Sequence, residues 1–86
     1  MEVHLTQRFE QAYGKLTAAE KRSVVKALTL LGDHPRHPGL RVKKMGGTKN
    51  VWEARPSARL RMTFEMTGQS ILMRNVGEHD SALKRR

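Results

Sequence analysis

Apolar residues fall three or four apart before residue 33 and at every second position beyond residue 40, so the chain changes from a helical to an extended period partway along. In the first stretch Leu5, Phe9, Ala12, Tyr13 and Leu16 make one stripe of a helix. Thr6 is a suitable N-cap, because its hydroxyl can accept a first-turn N–H, and Gly14 loosens the end. Thr17-Ala18-Ala19-Glu20 is a capping-box sequence that opens a second helix. Val24, Leu28 and Leu31 share one face of that helix and Gly32 stops it. A short alternation at 3–5 predicts a strand ahead of the two helices, which should form a hairpin.

Residues 33–40 contain two prolines and a glycine and predict a connector. After it, Leu60, Met62, Phe64 and Met66 alternate with Arg59, Arg61, Thr63 and Glu65, giving a half-buried strand with one apolar and one largely charged face. Gly68-Gln69 fits a two-residue turn into a strand over 70–76. That turn pairs Met66 with Ile71 and Phe64 with Met73 on one face, and Thr63 with Arg74 and Arg61 with Val76 on the other. Residues 50–55 predict another strand, ended by Pro56-Ser57; a three-residue connection sets Glu53 opposite Arg61, with Arg55 on their face. Residues 41–45 add a short strand before Gly46-Gly47. The expected fold is α+β: an N-terminal strand and a helical hairpin on a three- to four-stranded, mainly antiparallel sheet, in one domain over residues 1–86. The hairpin covers one sheet face and leaves the charged one open.

Charge sharpens this picture. Of the +9 formal charge, residues 1–33 contribute five basic and four acidic side chains, and residues 34–86 twelve basic and four acidic. A basic surface of this kind attracts a polyanion by counterion release. RNA, DNA, an acidic protein or an anionic membrane satisfies that requirement equally. The chain has no cysteine, which removes disulfides, thiol catalysis and Cys-based zinc sites. His34 and His37 are three apart but have Pro35 between them and no carboxylate or cysteine companions, so no metal site is expected. No apolar run approaches the roughly 20 residues of a bilayer span, and the first residues do not lead from a basic into an apolar region. A cytoplasmic protein without a membrane partner is expected.

The open sheet face would gather Glu53, Arg55, Arg61 and Arg74, with Lys43 or Lys44 at its edge and His79 just past the last strand. Cleavage of RNA by its own 2′-hydroxyl needs a base, cations for the charge growing on phosphate, and an acid for the leaving 5′-oxygen. Glu53 suits the first role, being a carboxylate kept ionised among arginines. Arg55 and Arg61 suit the second, since a guanidinium forks onto two phosphate oxygens. His79 suits the third, its intrinsic pKa lying near neutrality. The same residues admit a plainer reading: Glu53 as a cross-strand ion pair, the arginines as a solvated face, His79 as a surface partner of Asp80. Trp52 alternates to the face opposite Glu53 and belongs with the core.

The phrases His37-Pro38-Gly39-Leu40-Arg41-Val42-Lys43-Lys44-Met45, Val51-Trp52-Glu53-Ala54-Arg55 with Arg61-Met62-Thr63-Phe64, and Val76-Gly77-Glu78-His79-Asp80 occur in order across nearly the whole chain. Together they resemble the RelE/ParE superfamily of type II toxins, in its RelE-like branch. The resemblance implies a metal-independent endoribonuclease with no cofactor, acting on mRNA in association with the ribosome and neutralised by an acidic cognate antitoxin. On the residues, it implies that Arg61 contacts the scissile phosphate, that His79 is the acid, and that Glu53 and Arg55 lie on the strand supplying the base and a second phosphate ligand. Lys43, Lys44, Arg74 and Asp80 complete the RNA-binding set. In one respect the chain departs from the pattern: several members carry a tyrosine beside or soon after the terminal acid, whereas here Asp80 follows His79 and the only tyrosine is Tyr13. Two alternatives therefore stand beside the nuclease: a ParE-like inhibitor of DNA gyrase that cleaves no RNA, and a non-catalytic basic RNA-binding module.

Overall fold

The computed structural model describes residues 1–78. In chain order these form β1 (Glu2–Leu5), α1 (Gln7–Gly14), α2 (Ala18–Asp33), a 3-10 turn (Pro38–Leu40), β2 (Lys43–Lys44), β3 (Trp52–Ala54), β4 (Leu60–Thr67) and β5 (Ser70–Glu78). The strands make one sheet in the order β1-β5-β4-β3-β2. Every neighbouring pair is antiparallel except β1 and β5, which run parallel. The N-terminal strand thus joins the sheet as an edge and brings it to five strands. Among the described residues no helix is long and apolar enough to cross a membrane.

Both helices begin where side-chain caps satisfy first-turn N–H groups. The Thr17 hydroxyl accepts the Glu20 N–H at 3.1 Å and the Glu20 carboxylate accepts the Thr17 N–H at 2.8 Å, a complete capping box. Thr6 does more: its hydroxyl accepts the Phe9 N–H at 3.1 Å and donates to the Met73 carbonyl at 2.8 Å, tying the start of α1 to β5. Leu5, assigned by its spacing to the helical stripe, instead ends β1 and is exposed, because Thr6 breaks the helix before it. Phe9, Val24, Ala27 and Leu31 project from the helices into a core with Met62, Phe64, Ile71 and Met73 from the sheet. Burying each of the larger of these contributes about 2 kcal/mol.

Near the tight turn the register is the expected one, Met66 against Ile71 and Phe64 against Met73. Gly68, at φ +57, supplies the left-handed residue the turn needs. Beyond it a bulge intervenes. Thr63 pairs with Asn75 and Arg61 with Gly77, not with Arg74 and Val76, because one extra residue on β5 at Arg74 shifts every later position. The shift turns Val76 into the core, opposite Met62. With the expected pairing gone, β5 continues to Glu78.

The β3–β4 connection also departs from expectation. It spans residues 55–59 rather than three residues, so Glu53 pairs with Thr63 and not with Arg61. Nor is the second sheet face an open charged surface. Glu53, Arg61, Thr63 and Asn75 are all buried. Thr63 lies in register between Glu53 on β3 and Asn75 on β5, so the long polar side chains of the row cover one another.

Candidate functional site

The polar row of the sheet centres on Glu53, which is 3% exposed. Its carboxylate lies 3.7 Å from the Lys43 ammonium and 3.9 Å from Arg61 Nε. The register explains both neighbours. Lys43 sits directly across from Glu53 on β2, and Arg61 stands two residues before Glu53's partner Thr63 on β4, on the same face. Lys43 is exposed whereas Arg61 is not, so one cation faces solvent and the other is sealed beside the carboxylate.

Arg61 is 5% exposed, and one terminal nitrogen donates to the carbonyls of Ala58 at 3.1 Å and Leu60 at 3.0 Å. It therefore holds the end of the β3–β4 connection as well as facing Glu53. Its Nε has no hydrogen-bond partner among the described residues, and neither has the hydroxyl of Thr63, which is 0% exposed. Burial pushes the Arg61 guanidinium below its ordinary range, Arg55 pushes it further the same way, Glu53 opposes the shift, and Arg41 adds to the lowering. An arginine so placed stays charged at neutral pH. Arg55 and Arg41 thus both stand close enough to act on Arg61, with Glu53 the carboxylate that counters them there.

Of the residues expected at the site, the structure brings together Glu53, Arg61, Lys43 and, through its effect on Arg61, Arg55. Lys44 pairs with Trp52 and so alternates to the other face. Arg74, at the bulge, forms an ion pair with Glu65 towards the hairpin turn, away from Glu53. His79 and Asp80 lie outside the described residues. Trp52 packs against the core, as its alternation implied, with the Arg36 guanidinium 5.0 Å from its ring centre. At His37, Nδ1 accepts the Gly39 N–H at 3.0 Å, a turn-forming role.

Arg41 was not among the expected site residues. It follows the 3-10 turn with φ 49 and ψ 48, the only non-glycine residue of positive φ among those described. With Arg55, Pro56, Ser57, Ala58 and Gly39 it lines a pocket of about 300 Å³ at the end of the β3–β4 connection. The signal in the sequence was its place between Leu40 and the Lys43-Lys44 pair, in a phrase already singled out. No periodicity distinguishes a left-handed arginine from an ordinary one.

Chemically, the arrangement offers a shielded carboxylate, a cation locked beside it, and exposed or half-exposed cations (Lys43, Arg41, Arg55) around the rim. Such a set can position a phosphate and accept a proton close by.

No protein-family model and no curated protein matches the sequence. Solved structures do match the fold. The RelB–RelE antitoxin–toxin complex of Methanococcus jannaschii aligns with TM-score 0.78 at 16% identity, over 94% of this chain and 95% of that one. The YoeB/ParE toxin from Agrobacterium tumefaciens aligns with TM-score 0.77 at 15% identity, over 92% and 99%. The archaeal RelE–RelB complex from Pyrococcus horikoshii gives 0.75 at 18%, over 90% and 92%. Identities this low speak to architecture, and these alignments span nearly the full length of every chain involved: this protein has the RelE/ParE toxin fold.

Proposed function

We propose that the protein is the cytoplasmic toxin of a type II toxin–antitoxin pair and a metal-independent endoribonuclease acting on mRNA at the ribosome. The observation that carries the reading is the carboxylate of Glu53 held between Lys43 and Arg61, with Arg41 and Arg55 at the rim, on the RelE/ParE fold. In this reading Glu53 accepts the proton of a 2′-hydroxyl. The 2′-oxygen bonds to phosphorus and the bond to the 5′-oxygen breaks, leaving a 2′,3′-cyclic phosphate and a 5′-hydroxyl. Arg55 and Lys43 hold the phosphate oxygens as charge develops. Arg61 reaches them after releasing the Ala58 carbonyl, and otherwise positions Glu53. His79 is the proposed acid, with Asp80 orienting its imidazole. Lys44 and Arg74 contribute to the general attraction of RNA rather than to the reacting centre.

The similarity to chains of RelB–RelE complexes supports a proposed partner, an acidic antitoxin segment laid over the basic surface. One observation favours a second reading: Arg61 is buried with its hydrogen bonds directed to the backbone carbonyls of Ala58 and Leu60. That is how a structural arginine behaves, and it suits a binding protein, whether a gyrase inhibitor or a non-catalytic RNA-binding module. Mapping RNA ends in a translation extract separates these. The nuclease reading expects new 5′-hydroxyl ends with wild type and their loss with Glu53→Gln and His79→Ala. Intact mRNA together with inhibited supercoiling would establish the gyrase reading in its place, and RNA binding without either effect the binding-module one.

A further inference from the structure

Two pockets adjoin at Arg55 and share one wall, and side by side they give the surface there the outline of a cleft. The first, with Arg41 and Ser57, was described above. The second, also of about 300 Å³, reaches α2 at Lys26, Ala27 and Leu30 and the connector at His37 and Leu40. Gly39, Arg55 and Pro56 line both. Among the described residues the lining includes three cations, Lys26, Arg41 and Arg55, and no carboxylate. The polarity is divided: charged and hydroxyl groups dominate around Arg41, whereas Ala27, Leu30 and Leu40 give the α2 side an apolar floor. Each volume sits at the low end of the roughly 300–1,000 Å³ typical of small-molecule pockets, room for one flat ring with its phosphate next door.

Two backbone features keep this shape. Arg41 holds a left-handed conformation that its β-carbon resists, with its N–H donating to the Pro38 carbonyl at 3.2 Å. Strain of that kind is retained where a site depends on it. At Gly39 a β-carbon would stand 3.1 Å from His37 Nδ1, so any larger residue would push the imidazole out of its turn-closing position by a few tenths of an ångström.

We propose that this cleft binds one nucleotide unit of a single-stranded RNA, its phosphate between Arg41 and Arg55 and its base on the apolar floor of Ala27, Leu30 and Leu40, with Lys26 meeting the adjoining phosphate. An unstacked base finds there the apolar seat, and its backbone the cations, that single-strand recognition combines. The inference rests on the RNA reading above and adds to it a subsite outside the Glu53 row. It carries the strand from the sheet past Arg55 towards α2.

The test is fluorescence anisotropy with a labelled 2′-O-methyl oligonucleotide, which lacks the attacking hydroxyl and so reports binding alone. Lys26→Glu and Arg41→Ala are each expected to weaken binding about tenfold and to flatten its salt dependence by about one phosphate contact. Arg41→Gly removes the same guanidinium while relaxing the backbone; it should weaken binding as Arg41→Ala does, with an unimpaired melt, which separates lost contact from lost fold. An oligonucleotide abasic at one position should lose affinity for wild type. Variants that bind as wild type does would overturn the subsite, as would competition by an oligoglutamate of equal charge or equal affinity for free nucleoside monophosphate. A wild type that binds no RNA would instead sink the RNA reading itself, whereas RNA bound but left uncut, tested with unmodified strand, would remove only cleavage.

Discussion

Glu53 and Arg61 are each nearly sealed from solvent and stand 3.9 Å apart, so loss of Glu53 leaves Arg61 a buried charge without its carboxylate, and loss of Arg61 leaves Glu53 with only the solvated Lys43 ammonium at 3.7 Å. Glu53→Gln should therefore lower unfolding free energy by about 2 kcal/mol, and Arg61→Met by a similar amount. The double variant should lose clearly less than both losses combined, because neither partner is then stranded; denaturant titration of the four proteins gives the coupling, and simple additivity would show that the pair does not interact. The exposed Lys43 is a different case, since a solvated ammonium adds little to stability and its loss should register in RNA binding instead. Thr63 gives a prediction of opposite sign. Its hydroxyl is fully buried with no hydrogen-bond partner among the described residues, so Thr63→Val should raise stability by about 1 kcal/mol, seen as a higher denaturation midpoint at unchanged slope.

Among the elements, the start of α1 is tied to β5 at one residue, Thr6. Thr6 caps the helix and bonds the Met73 carbonyl at once, so Thr6→Val keeps the shape but strands the Phe9 N–H and takes from that carbonyl the shorter of its two bonds from Thr6, leaving the backbone N–H at 3.2 Å. A loss of about 2 kcal/mol is expected, against a few tenths for Thr6→Ser, with hydrogen exchange accelerated first at Phe9; equal losses would mean that packing of the threonine methyl is what matters. The caps at Thr6 and Thr17 were legible in the sequence because capping is local, fixed within four residues. The hairpin register was legible for the same reason as far as the Gly68 turn governs it, through Phe64 and Met73. It was lost beyond, since a bulge adds a residue without changing the alternation on either side, and Arg74 carries no mark of being the extra one. The β3–β4 connection was misjudged because Pro56 says that a strand ends but not how many residues pass before the next begins.

For the whole molecule, the concentration of twelve basic side chains in residues 34–86 was visible at once, and so was the Glu53–Arg61 neighbourhood, because strand periodicity puts residues of one parity on one face. What could not be read was depth. Alternation assigns a face but not its accessibility, and the polar row turned out to be buried while the accessible cations, Arg41 and Lys43 with half-exposed Arg55, ring it. That difference sets how binding should respond to salt. Only cations that reach a phosphate release counterions, at roughly 0.7 per contact on a single strand. Four of them, Lys26, Arg41, Lys43 and Arg55, predict that log K falls against log salt concentration with a slope of about −3, far short of what a charge of +9 would give if every excess cation took part. Reversing Lys43 should flatten the slope by about one contact or more. Reversing Lys15, which is exposed and lines neither pocket beside Arg55, changes net charge equally and should leave the slope nearly untouched. Equal effects of the two reversals would mean that RNA responds to the overall field of the molecule and not to a defined track of side chains.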